Sequence, residues 1–250
     1  MRIRFVRLSA TCIDSTSGGL YPKDLVRLLQ SPVTARWRDI GRVYADGGTG
    51  ELLLRLPSLT ALELSYSVDT THLDFPPQLP RLSSLRLDCD KHNRPGWHIS
   101  ADAMLAALVH CIGITELDLK CGFQSAHWSA LFAKLTSIQK LTIREGEMES
   151  LACYASGPIT ASLEELSIRF LYLPPSELPH LYALRRLRAL QLHGCFRWRL
   201  GDDTIDSLTP PSILPALTDL GHSWRLAYDG RDDVERRGSS FEWMQARLTQ

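Results

Sequence analysis

The chain has 250 residues, 44% of them hydrophobic and 22% charged, the balance of a folded globular protein and not of a disordered one. Its 28 Lys and Arg are matched by 28 Asp and Glu, so no net field draws in nucleic acid or an anionic membrane surface, and charge acts only locally. The six cysteines form no Cys-x-x-Cys pair, the opening MRIRFVRLSATC lacks a signal-peptide core, and no apolar run reaches membrane-spanning length; these features read as an intracellular protein, cytoplasmic or nuclear, with reduced thiols.

From the N-terminus onward one phrase recurs, apolar-x-x-apolar-x-apolar. Two loose copies come first, Ile3-Val6-Leu8 and Trp37-Ile40, with the stretch Leu25-Val26-Arg27-Leu28-Leu29 and Ser31-Pro32 between them. Six full copies follow, at Leu59-Leu62-Leu64, Leu82-Leu85-Leu87, Ile114-Leu117-Leu119, Ile138-Leu141-Ile143, Leu163-Leu166-Ile168 and Leu187-Leu190-Leu192. A seventh, Leu217-Leu220, has His222 at the third site. The phrases start 23, 32, 24, 25, 24 and 30 residues apart. Alternation within each phrase predicts a strand, and the stretch before the next phrase predicts a return.

Several returns carry helix signals. Ser100 precedes Ala101 to Val109 as an N-cap, and 126–135 and 178–186 read as helices in the same way. Pro76-Pro77, Pro174-Pro175 and Pro210-Pro211 predict extended or one-turn pieces instead. Near the end, Ser239 and Glu242 have capping-box spacing before Phe241, Trp243, Met244 and Leu248, which predicts a short helix closing the array.

The repeated phrase resembles that of leucine-rich repeat proteins, and the resemblance covers roughly residues 3 to 235. It implies an α/β fold, a leucine-rich repeat solenoid or horseshoe with a parallel concave β-sheet and helices and extended turns on the convex side. The expected organisation is a repeat domain over 1–235, with about seven clear and two looser repeats, and a capping helix over 236–250. The chain departs from the family where an Asn or Cys normally follows the strand: Ser67, Asp90, Gly122, Gly146 and Leu171 stand there, and only Cys195 matches. This irregularity is similar to that of F-box and ribonuclease-inhibitor-like proteins.

No complete catalytic or cofactor motif is present. Asp46-Gly47-Gly48-Thr49-Gly50 begins like a phosphate loop but no Gly-Lys-Ser/Thr follows, so it reads as a turn between repeats. Cys89, His92, His98, His110 and Cys111 are too dispersed for a structural zinc site. His193 and Cys195 do not make a nucleophile pair, and Glu116 and Asp118, two apart on a strand, read as acids of a solvated face. The expectation is a protein with no catalytic residues, no metal and no cofactor.

The side chains between the apolar sites should form rows across the open face of the sheet. One row runs Ala61, Ser84, Glu116, Lys140, Glu165, Ala189, Asp219; the next runs Glu63, Arg86, Asp118, Thr142, Ser167, Gln191, Gly221. The third runs Ser65, Asp88, Lys120, Arg144, Arg169, His193, Ser223, with four successive basic members. Arg86, Glu116, Asp118, Lys120, Arg144, Arg169, Gln191 and His193 are therefore the candidate partner-binding residues. The expected partner is a protein, through an acidic or phosphorylated segment, and neither nucleic acid nor membrane. Two narrower roles follow from the resemblance: the substrate-recognition part of an F-box-type ubiquitin ligase adaptor, with residues 25–32 as its loosely F-box-like stretch, or a GTPase activator using Arg86 or Arg144.

Overall fold

The computed structural model describes residues 12–13, 19–31, 36–45, 48–66, 76–89, 101–120, 123–144, 150–155, 157–169, 175–197, 216–226 and 234–236. The chain divides into two compact units, Met1–Lys120 and Cys121–Gln250. In the first, β1 (Cys12–Ile13), β2 (Asp39–Ala45), β3 (Ala61–Tyr66), β4 (Ser84–Cys89) and β5 (Glu116–Lys120) pair in chain order, all parallel. The returns between them hold α1 (Pro22–Leu29), α2 (Thr49–Leu53), a 3₁₀ turn at Pro76–Gln78 and α3 (Ala101–Leu108).

The second unit starts with α4 (Ser125–Phe132), then β6 (Lys140–Arg144), α5 (Ala152–Ala155), α6 (Ile159–Ser162), β7 (Glu165–Arg169), a 3₁₀ segment at Pro175–Ala183, β8 (Ala189–Arg197) and β9 (Asp219–Leu226). β6 to β9 are parallel neighbours in chain order, and β10 (Val234–Arg236) runs antiparallel to β9. Parallel strands joined by short returns, one phrase per strand, make each unit an α/β array of strand-and-return repeats.

The apolar phrase explains the packing. Leu62, Leu85 and Leu117 stand in register, as do Leu64, Leu87 and Leu119, and in the second unit Leu141, Leu166 and Leu190, and Ile143, Ile168 and Leu192. None of these twelve is more than 5% exposed. Burying each such side chain contributes roughly 1.5–3 kcal/mol, so the ladders are the main source of cohesion within each unit. The first site of each phrase, from Leu59 to Leu187, is buried beneath the turn into its strand.

A repeated backbone device fixes the register. The carbonyl of Arg38 accepts from the N–H groups of both Thr60 and Ala61; Thr60 does the same for Ser83 and Ser84, and Ser83 for Thr115 and Glu116. In the second unit Gln139 serves Glu164 and Glu165, Glu164 serves Arg188 and Ala189, and Arg188 serves Thr218 and Asp219. The hydroxyls of Thr60, Ser83, Thr115 and Thr218 donate to these same carbonyls at 2.9–3.3 Å. Each strand entry is thus tied to the repeat before it, on the side opposite the missing Asn.

The second loose copy is a full repeat with one residue extra. Ile40 lies opposite Leu62, but Arg42 lies opposite Glu63 and Val43 opposite Leu64, so Gly41 is bulged out and the third apolar site moves from 42 to 43. Ahead of α1, Leu20 forms a parallel bridge to Val43 through Leu20 N–H to Arg42 O and Tyr44 N–H to Leu20 O. α1 itself is a return helix: Pro22 opens it, Asp24 accepts from the Tyr21 N–H at 3.3 Å, and Leu25 is fully buried.

The helices expected over 101–109 and 126–135 are present as α3 and α4. That expected over 178–186 is instead the 3₁₀ segment at Pro175–Ala183. Pro179 sits inside it; lacking an N–H and clashing with the carbonyl of Pro175, it keeps the winding that starts at Pro175 from continuing as an α-helix, although it would be tolerated in the first turn of a helix starting at 178. The loose copy at Ile3, the Ser100 cap, Pro210-Pro211 and the closing helix over 239–248 lie outside the described residues.

Glu177 ties the 3₁₀ segment to the previous return. One carboxylate oxygen, Oε2, accepts from Ser150 Oγ at 2.6 Å and from the Leu151 N–H at 2.9 Å, just ahead of α5, with His180 Nε2 at 3.6 Å. The hydrogen bond from Ser150, then that from Leu151, holds the Glu177 carboxyl below its ordinary value. A lowered carboxyl contributes stability that is complete above the unfolded-state value and is lost as pH falls through the folded one. Glu177→Gln is therefore expected to lower stability at pH 7 by about 1–2 kcal/mol, with the difference from wild type shrinking below about pH 4, as denaturant unfolding across pH would measure.

Candidate functional site

The face of the sheet opposite the leucine ladders carries the rows expected from the sequence. In the first unit Ala61, Ser84 and Glu116 are register partners, then Glu63, Arg86 and Asp118, then Ser65, Asp88 and Lys120. In the second, Lys140, Glu165, Ala189 and Asp219 align, then Thr142, Ser167, Gln191 and Gly221, then Arg144, Arg169, His193 and Ser223.

The first unit neutralises its own face. Because of the Gly41 bulge, Arg42 joins the middle row, which then alternates in sign as Arg42, Glu63, Arg86, Asp118. Arg42 Nε lies 2.8 Å from Glu63 Oε1, and Arg86 Nε lies 3.6 Å from Glu63 and 3.4 Å from Asp118. The hydrogen bond to Glu63 raises the Arg42 pKa further, fixing it as a cation. Asp88 reaches Arg42 at 3.7 Å and Lys120 at 3.8 Å, and Glu116 accepts from Ser84 Oγ at 3.1 Å. Lys120 and Asp88 are only 15% and 13% exposed, so this pair is sheltered from screening.

Lys120 is thus held by a carboxylate of its own row, and Arg86 is committed between two acids. The role of Asp88 is legible in the sequence, since it directly precedes Lys120 in the row. Arg42 is not, because the bulge hides its register.

The second unit differs. Among the described residues of its three rows, the carboxylates stand in the first: Glu165, paired with Lys140 at 2.9 Å with both half-exposed, and Asp219. The second row offers the hydroxyls of Thr142 and Ser167 and the amide of Gln191. The third places Arg144 beside Arg169 and Arg169 beside His193 on adjacent strands. Arg169 Nε donates to Ser167 Oγ at 3.5 Å, which draws the guanidinium over the second row.

Other candidates fall elsewhere. Cys111 and Cys153 are buried free thiols, each pushed up to about 12 by burial, so neither is a nucleophile near neutral pH. Gly48 caps α2 and Gly50 lies within it, which makes this stretch the start of a return. Among the described residues no three His, Cys, Asp or Glu stand together as a metal site. His92, His98 and Trp97 lie outside the described residues.

No protein-family model matches the chain, and no curated protein matches it. Among solved structures the chain is similar to an internalin C2 from Listeria monocytogenes str. 4b F2365, with 16% identity and a TM-score of 0.42, over 73% of this chain and 80% of that one.

The alternating row is expected to be worth little singly. A double-mutant cycle on Arg42 and Glu63, using Arg42→Met and Glu63→Gln, should give a coupling of about 0.2–1 kcal/mol in urea unfolding, falling as salt is added. A coupling above about 2 kcal/mol would mean that the pair is structural and not a solvated face pair.

Proposed function

We propose that the chain is a non-enzymatic protein-interaction module whose open, concave sheet face holds a protein partner. The observation that carries this reading is the division of each strand: its ladder side chains are buried, while the alternate ones stand in register rows that are mostly polar or charged and, apart from buried Ser65, half-buried or exposed where described, such as Glu63, Arg86 and Asp118. Rows at fixed strand spacing offer a partner many weak contacts at once, and loops need not move to form them.

The narrower alternatives gain less. Part of the F-box-like stretch, residues 25–29, lies in α1, where Leu25 is buried in the array. A GTPase-activating arginine must extend into another protein's site, whereas Arg86 is held between Glu63 and Asp118.

The test is capture of proteins from the source cell by the full chain, compared with a Ser84→Arg/Gln191→Arg double variant and with Arg55→Glu/Arg185→Glu on exposed return positions. A genuine partner is expected to be lost with the first pair and kept with the second. Partners kept by the open-face variant and lost with the return-side variant would overturn the reading.

A further inference from the structure

In the middle row of the first unit the cations are the more exposed members. Arg42 and Arg86 are 39% and 37% exposed, whereas Glu63 and Asp118, the acids they pair with, are 21% and 26% exposed. Both arginines are held through Nε: that of Arg42 lies 2.8 Å from Glu63, and that of Arg86 lies between Glu63 and Asp118. Arg86 Nε is itself covered, so the exposed area of this side chain belongs to its other atoms. A guanidinium tied at one edge keeps its planar face for stacking, and part of its rotamer freedom is gone before a partner arrives. On the same strands, the first row offers Ala61 and Ser84, small side chains that leave room beside Glu63 and Arg86.

The signs along the row decide what fits. Arg42, Glu63, Arg86 and Asp118 sum to zero. An acidic segment laid across them must displace Glu63 and Asp118 from the arginines, and a basic one meets Arg42 and Arg86; either sets like charges face to face. A neutral aromatic ring avoids both conflicts, because its negative face complements the exposed cation while the carboxylates stay paired.

We infer that the open face of the first unit takes up an extended segment of the partner protein bearing two aromatic side chains three residues apart, one stacked on Arg42 and the other on Arg86. The inference rests on the interaction reading given above and names the partner's chemistry. Arg42 on β2 and Arg86 on β4 stand two strands apart, about 9.6 Å at ordinary strand spacing. A polyproline II segment has three residues per turn and rises about 3.1 Å per residue, which puts side chains i and i+3 on one face about 9.3 Å apart. A β-strand brings i and i+2 onto one face at about 6.8 Å and misses the second arginine.

The full chain is titrated with fluorescein-labelled proline-rich peptides carrying Phe-Pro-Pro-Phe, Phe-Pro-Phe, Leu-Pro-Pro-Leu or Glu-Pro-Pro-Glu, followed by anisotropy. A fifth peptide has both rings of Phe-Pro-Pro-Phe replaced by pentafluorophenyl, which keeps the ring shape and reverses its quadrupole. Phe-Pro-Pro-Phe is expected to bind about fivefold or more tighter than each of the others, and Arg86→Gln to remove about fivefold or more of that affinity. Arg86→Lys keeps the charge and the pairing with Glu63 and Asp118 but lacks the planar face, and should fall between the two. Arg55→Gln/Arg185→Gln should change nothing.

Equal binding of the two ring forms would overturn the proposal, since buried hydrocarbon area does not distinguish them. Tighter binding of the glutamate peptide would overturn it in favour of an acidic partner, and equal binding of Phe-Pro-Phe would overturn the two-arginine spacing. No saturation below about 1 mM would also overturn it. Proteins captured from the source cell that are lost with Ser84→Arg/Gln191→Arg yet kept with Arg86→Gln would overturn the aromatic assignment and leave the interaction reading standing.

Discussion

A single backbone carbonyl at the entry to each strand, accepting two successive N–H groups from the next repeat, sets the register on which everything else depends. A slip of one residue would turn every leucine of a phrase outward and every charged residue inward. The Ser and Thr hydroxyls at the same positions reinforce the bond from the side chain in the first unit and at Thr218. Where Glu164 stands instead, its carboxylate reaches Arg186 at 2.9 Å and Arg188 at 3.6 Å, so an ion pair takes the place of the hydroxyl.

With the register fixed, the two faces follow from alternation. The buried face is uniform, Leu and Ile throughout, because each ladder must match its neighbours in length and shape. The open face is free to vary, and the two units use that freedom differently. The first spends its charges on one another across adjacent strands, whereas the second separates them into an acidic and basic first row and a basic third row.

Most of the architecture was legible in the sequence, since six full phrases at near-constant spacing leave few alternatives to a parallel repeat sheet. The rows of the open face followed directly, and every pairing within a unit agrees with them. What escaped has physical causes. Gly41 broke the phrase at 40–43, because counting along a chain cannot see a bulged residue, and so Arg42 was left out of the row it completes. The stretch expected as a helix over 178–186 winds instead as a 3₁₀ segment that begins three residues earlier, at Pro175. The Ser/Thr column was visible as a residue type after the first apolar site, but its meaning needed the carbonyl of the preceding repeat, 22 or more positions away in sequence. The candidate site was legible as positions and not as partnerships: Lys120 belonged to the basic row by spacing, yet Asp88 claims it.

The carbonyl device also sets how the molecule would come apart. Each of these backbone links joins only adjacent repeats, so within a unit this part of the cohesion is transmitted step by step, as in a row of dominoes, supplemented by side-chain contacts such as that of Arg42 with Asp88 across the intervening strand. Opening is then cheapest where a repeat has one neighbour instead of two, and hydrogen exchange should grade from such a repeat toward the doubly flanked ones. The antiparallel β10 on β9 and the Leu20 bridge on β2 both add backbone hydrogen bonds to strands that flank a run, damping its fraying without lengthening the repeat.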